Sequence, residues 1–111
     1  MQTIDLPSGI DLPGGIDLVD EDGGPVLRLR GEVDSLVVAA YDAASSPGPR
    51  PAVAVDLSAA TFLDCPGLRL LLRATEATRR SGRVPELRRA SHTVQRMVEI
   101  AGVGGLFTAV P

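Results

Sequence analysis

The run from Ala52 to Ser81 constrains the fold more than any other part of the chain. It opens with Ala52-Val53-Ala54-Val55, four apolar residues with no polar alternation, and closes at Asp56. A short apolar run without alternation, bounded by turn residues, reads as a strand buried on both faces, which requires a covered sheet. A second run, Thr61-Phe62-Leu63, ends at Asp64, and beyond Cys65-Pro66-Gly67 no helix breaker occurs before Gly82. Asp64 is therefore read as the N-cap of a long helix from Cys65 to Ser81. In that helix Leu68, Leu71, Leu72, Thr75 and Thr78 share a face, and Arg69, Arg73, Glu76 and Arg80 lie opposite. Burying the three leucines contributes about 1.5 to 3 kcal/mol each, against about 0.3 to 0.5 kcal/mol for the Glu76 to Arg80 pair. Packing, not charge, holds the helix.

The rest of the chain fits around this unit. Ile16 to Val19 reads as a first strand, Asp20 to Pro25 as a turn, and Val26 to Arg30 as a second strand with Leu27 and Leu29 on one face and Arg28 and Arg30 on the other. Asp34 is placed to cap a helix from Ser35 to about Ala44, with Val37, Ala40, Tyr41 and Ala44 on its apolar stripe. Ser45 to Pro51 is a loop on its Pro and Gly content. A buried strand after a helix implies parallel pairing through a crossover. Near Val84 to Leu87, Pro85 points to an edge or irregular strand. Ser91 caps a short helix carrying Val94, Met97, Val98 and Ala101 and ending at Gly102, and Leu106 to Val110 forms a last strand or docked tail.

Ahead of all this stands a hexad repeat, Ile4-Asp5-Leu6-Pro7-Ser8-Gly9, Ile10-Asp11-Leu12-Pro13-Gly14-Gly15 and Ile16-Asp17-Leu18-Val19. Pro and Gly in the first two copies oppose helix and central strand, so residues 1–14 are expected to be a tail or edge segment and residues 15–111 one domain. The expectation is an α/β fold: a mixed sheet of about four or five strands with helices packed mainly on one side.

Composition narrows the function. Aromatic residues make up 3% of the chain, too few to supply stacking platforms for bases, so nucleic-acid binding is not expected. Residues 1–66 carry 11 acidic and 3 basic side chains and residues 67–111 carry 3 and 8. An acidic and a basic face in one small domain suit a protein partner. The single cysteine forms no internal disulfide, and no apolar run approaches the length that spans a bilayer. A cytoplasmic protein without membrane insertion is expected. The paired glycines at 14–15, 23–24 and 104–105 match no phosphate-loop spacing, and the one histidine, His92, falls in the exposed first turn of the last helix. Neither an enzyme nor a cofactor is expected. Asp34, Asp56 and Asp64 would suit a cation if they converged on one end of the sheet, but they lack His and Cys company, and no metal is expected.

Four segments carry a resemblance: Leu29-Arg30-Gly31-Glu32-Val33-Asp34; Val53-Ala54-Val55-Asp56-Leu57-Ser58; Thr61-Phe62-Leu63-Asp64-Cys65-Pro66-Gly67-Leu68; and Ile100-Ala101-Gly102-Val103 with Leu106-Phe107. In this order, over residues 16–110, the chain resembles the STAS domain of bacterial anti-sigma factor antagonists. The resemblance implies partner switching. In that family the unphosphorylated domain binds an anti-sigma factor that is also an ATP-binding serine kinase, which frees a sigma factor for transcription. Phosphorylation of the serine after the motif's Asp ends the binding, because the phosphate adds about −1.5 to −2 charges within the contact surface. Carried onto this chain, the partner surface would include Asp34, Asp56, Asp64, Cys65, Pro66, Gly67 and Arg69.

At the phospho-acceptor position the chain departs from the family. Cys65 stands where the serine would be, and Pro66 removes a backbone N–H from the turn. Three readings of Cys65 stay open. It is a small, partly buried replacement that leaves the domain unphosphorylated; or a redox-sensing thiol at a helix N-terminus; or the acceptor has moved to a neighbour such as Ser58 or Thr61. A STAS module serving a transporter or lipid-transport assembly is the alternative within the same architecture.

Overall fold

The computed structural model describes residues 12–45 and 51–111. The first copy of the hexad repeat, part of the second, and most of the loop expected at 45–51 lie outside the described residues. Strand β1, Gly14–Glu21, pairs antiparallel with β2, Gly24–Val33, and Glu21 stands opposite Gly24. The turn is thus Asp22-Gly23 alone, a dipeptide suited to two-residue hairpins. The longer turn expected over 20–25 is corrected: Pro25 sits inside β2, where its carbonyl accepts the Val53 N–H at 2.8 Å. As expected, Leu27 and Leu29 are buried and Arg28 and Arg30 are exposed.

Helix α1, Ser35–Ala44, leads by a crossover to β3, Ala54–Leu63, which lies parallel to β2. The parallel pairing follows the sequence reading; the strand's length does not. β3 runs on through Asp56 and takes in Thr61 to Leu63 as one ten-residue strand. Two irregularities in its register with β2 make this possible. Leu57 and Ser58 together stand opposite Leu29, and Thr61 is extra between Ala60 and Phe62. Each bulge re-phases the side chains, so Val55, Leu57, Ala60 and Leu63 are all buried despite unequal spacing.

Helix α2, Cys65–Arg80, buries Gly67, Leu70, Leu71, Thr75 and Thr78. Its buried face is rotated from the expected one: Leu70 joins it, while Leu68 and Leu72 are only partly buried. The two threonines are satisfied, Thr75 Oγ1 donating to the Leu71 carbonyl at 2.6 Å and Thr78 Oγ1 to the Ala52 carbonyl at 2.8 Å. Gly82, at φ 91°, ends the helix in a Schellman turn, with its N–H on the Arg79 carbonyl and that of Arg83 on the Thr78 carbonyl.

Strand β4, Glu86–Arg88, helix α3, His92–Ile100, a 3-10 turn at Gly104–Leu106 and strand β5, Thr108–Val110, complete the domain. The sheet order is β1-β2-β3-β4-β5, parallel from β2 onward. The expected edge position of the strand near Pro85 is corrected, since β4 pairs on both sides. Pro85 is accommodated by lying just before the ladder, where only its carbonyl is used, by the Thr108 N–H at 2.9 Å. In α1 Val37 and Val38 are buried and Ala44 is exposed; in α3 Val94 and Val98 are buried and Ala101 is exposed. Both apolar stripes are therefore shorter than expected. All three helices feed one core with Leu27, Leu29, Val55, Leu57 and Leu87, which puts them on the same face of the sheet.

Candidate functional site

The site is built where two parallel strands stop together. Val33 of β2 and Leu63 of β3 are in register, and each is followed at once by an aspartate that caps the next helix. Asp34 Oδ1 accepts the Val37 N–H at 3.0 Å. Asp64 does more. Its Oδ1 accepts the Gly67 N–H at 3.0 Å in α2, and its Oδ2 accepts the Ser35 N–H at 3.2 Å at the start of α1. Its own N–H donates to the Val33 carbonyl at 3.3 Å. One carboxylate thus satisfies orphan donors of two helices and sits at the positive end of both macrodipoles.

This closeness depends on Gly67, where a Cβ would stand 2.7 Å from the Val33 carbonyl oxygen. Cys65 and Pro66 occupy the first two helical positions of α2, where a missing N–H costs no intrahelical bond. Cys65 is exposed, not partly buried as expected, because the cap turns the first residue of α2 outward from the strand ends.

Arg69 is exposed one turn further on and lines a shallow groove between α1 and α2 with Val38, Pro66, Leu72 and Arg73, about 440 Å³ in volume. Arg73 pairs with Asp42 of α1 at 3.2 Å. Two large apolar side chains lie in the open within two residues of a cap: Leu36, 48% exposed, and Phe62, 40% exposed. Sequence reasoning missed Leu36, Phe62 and the groove. The signal was there: an apolar residue beside each capping aspartate, off the buried stripe of its element.

The structure brings Asp34, Asp64, Cys65, Pro66, Gly67 and Arg69 to one pole of the domain, and Asp56 is not among them. Asp56 lies eight residues before Asp64 on β3, roughly 26 Å away along an extended strand. The three carboxylates therefore do not converge on one end of the sheet, the condition under which they would have suited a cation. Asp56 is 5% exposed, on the sheet face opposite the helices. Its Oδ1 takes the Ser58 N–H freed by the first bulge at 2.9 Å, and its Oδ2 takes Arg89 at 3.1 Å with Arg28 at 3.9 Å. Burial pushes its carboxyl up, but the Ser58 hydrogen bonds and the Arg89 guanidinium outweigh that and hold it below the ordinary 3.8. This cluster orders the sheet and was not read from the sequence. Ser58 and Thr61 are exposed on β3, and His92 is exposed at the start of α3.

Among the described residues no group of three His, Cys, Asp or Glu side chains gathers in a way that would hold a metal ion. Among the same residues no helix is long and apolar enough to cross a membrane. A larger cavity, about 590 Å³, lies between α3 and β5 against Leu87, Val98 and Phe107, away from the capped pole.

What the pole offers chemically is two helix N-termini locked together, an exposed thiol, apolar side chains in the open and a basic-rimmed groove. In comparison with known proteins, a family model described as "Mlab, STAS domain" matches residues 16–108. Among curated proteins no relative matches the chain.

Proposed function

The chain belongs to the STAS domain family, a fold of regulatory and binding modules that act on partner proteins, and from that premise we propose that it is an anti-sigma factor antagonist of the bacterial cytoplasm. It binds an anti-sigma factor of the ATP-binding serine-kinase type and so frees a sigma factor for transcription. It has no catalytic role of its own. The contact surface is the pole where α1 and α2 begin: Asp34, Asp64, Cys65, Pro66, Gly67 and Arg69, joined by Leu36 and Phe62. The observation that carries the reading is the Asp64 carboxylate, bonded to the Ser35 and Gly67 N–H groups, which fixes both helix starts with Cys65 exposed beside it. A rigid, partly apolar surface loses little conformational freedom on binding. Asp56 acts in this reading as a structural residue under the sheet.

Cys65 stands at the acceptor position with its side chain in the open, so a kinase partner meets a thiol where the family presents a hydroxyl. Binding is retained and the phosphorylation switch is lost. The test is Cys65→Arg, which puts charge and bulk at an exposed position outside the core. Binding to a purified anti-sigma kinase, measured by calorimetry, is expected to fall by at least tenfold, about 1.4 kcal/mol, with the melting temperature unchanged. Unchanged affinity would remove the surface from this pole. Incubation with the kinase and ATP is expected to leave the protein's mass unchanged; a phosphate on Ser58 or Thr61 would refute the lost switch.

A second reading is favoured by the matched family model, whose description names no anti-sigma factor. In it, the same surface docks on a transporter or lipid-transport assembly. Recovery of only such components with the wild-type protein, and not with Cys65→Arg, would decide for it.

A further inference from the structure

The two edges of the sheet differ in charge. β1 carries Asp17, Asp20 and Glu21, which discourage a further strand, whereas β5, Thr108-Ala109-Val110, carries no charged side chain. On its inner side β5 is held by β4: the Thr108 N–H donates to the Pro85 carbonyl at 2.9 Å, and the Val110 carbonyl accepts the Arg89 N–H at 2.8 Å. Successive residues of a strand turn their backbone groups to opposite sides, so the N–H and C=O of Ala109 point outward, where no further strand lies among the described residues. Ala109 is exposed. Pro111 has no N–H to offer, which centres any pairing at this edge on Ala109.

Beside this edge lies the cavity of about 590 Å³, a size typical of ligand sites. Ala109 is in register with the buried Leu87, so both face the helices, and α3 borders the cavity with Val98 and Glu99. The space is open because Gly102, Gly104 and Gly105 line it without side chains. A Cβ at Gly102 or Gly105 would meet nothing within 4 Å, and one at Gly104 would meet only Val98 Cγ1, at 3.8 Å. A strand laid about 4.8 Å beyond β5 sends the side chain opposite Ala109 to the helix face, into this cavity. Leu87, Val98 and Phe107 suit a large apolar side chain there. Glu99 is exposed and pairs with no cation among the described residues, so it suits a basic side chain two residues along on the same face. We propose that the β5 edge and the cavity beside α3 form a second binding site, for an extended segment of a protein partner that joins the five-stranded sheet as a further strand, with a large apolar side chain in the cavity and a Lys or Arg on Glu99. Main-chain bonds to Ala109 supply affinity, and the two side chains supply selectivity. The site lies away from the capped pole and does not depend on the partner proposed for it.

The experiment titrates the full, isotope-labelled chain with a capped heptapeptide that has phenylalanine at its centre, lysine two residues to either side and threonine elsewhere, so that it presents the same face in either strand direction. The Leu87, Val98 and Ala109 amide resonances are expected to move while those of Ser35 and Gly67 at the capped pole stay in place. Ala109→Pro removes the outward donor and leaves the bonds to β4 intact, and it is expected to weaken binding by roughly tenfold. N-methylation of the three central peptide residues should do the same with the wild-type protein, which needs no variant to fold. Glu99→Lys is expected to weaken binding, and a peptide with glutamate in place of the lysines to restore it. Resonances that do not respond to the peptide would overturn the proposal. So would equal binding of the N-methylated peptide, since the cavity would then hold an apolar group without strand pairing. Shifts of the same resonances on raising the protein concentration without peptide would also overturn it, because the occupant would then be a second copy of the chain.

Discussion

Removing the Asp64 carboxylate tests whether it joins the two helices or merely caps one. Asp64→Ala loses the cap on Gly67, worth about 1 kcal/mol, and the Ser35 hydrogen bond, worth a further ~1 kcal/mol, since the observed geometry gives one oxygen to each. The expected loss is about 2 kcal/mol. With an unfolding entropy near 2.1 cal/mol/K per residue, that corresponds to a melting-temperature drop of roughly 9 °C for a chain of this size. Asp34→Ala is the internal control, because Asp34 caps α1 alone through Val37, and it should cost about half as much. Asp64→Asn should fall between the two, as its amide oxygen keeps one bond while its NH₂ faces a donor. Calorimetry on the three variants measures the effect. If Asp64→Ala costs no more than Asp34→Ala, the Ser35 bond contributes nothing and the two helix starts are not coupled through this side chain.

Two further outcomes follow from the same structure. Gly67→Ala places a Cβ 2.7 Å from the Val33 carbonyl oxygen, so a destabilisation of about 1 to 3 kcal/mol is expected from overpacking; helix propensity alone predicts a gain of about 1 kcal/mol, and a net gain in urea unfolding would refute the close approach. Asp56 has a folded-state pKa below its ordinary 3.8, so its contribution to stability is complete above that value and is lost as the pH falls through the lowered one. Urea titrations of wild type and Asp56→Asn should therefore show wild type more stable at neutral pH and the gap narrowing in acid. A gap constant with pH would mean that the Ser58 and Arg89 bonds do not favour the charged form.

The elements bounded by strong local chemistry could be read from the sequence. Asp34, Asp64 and Ser91 each accept from the backbone N–H three residues on, and Gly82 terminates α2, because capping is decided within a few residues. The parallel pairing of β3 with β2 was readable for a similar reason, since an unbroken apolar strand demands cover on both sides. The second half of β3 was not. Its two bulges change which residues face the core, and a bulge leaves no periodic trace in the strand that carries it. The rotation of α2 toward Leu70 was hidden in the same way, as it depends on where α1 and β3 lie. At the site, Asp34 and Asp64 could be placed together because both follow parallel strands that end in register, whereas Asp56 was misplaced because its fate depends on Arg89, 33 residues away.

The arrangement at the pole also explains in physical terms why Cys65 does not disturb the fold. The structural tasks are carried by its neighbours: Asp64 supplies the cap and the bridge to α1, and Gly67 permits the approach of α2 to the end of β2. Position 65 has neither task, and its side chain lies in the open. In the proposed role, a thiol in place of a hydroxyl acceptor at this position would remove a kinase's substrate without loosening the surface proposed for its docking. Position 66 is equally tolerant, because proline near a helix start gives up an N–H that has no intrahelical partner. On the proposed function, recognition and covalent control would thus fall to adjacent but separable residues, which is the physical condition for losing the switch while keeping the contact.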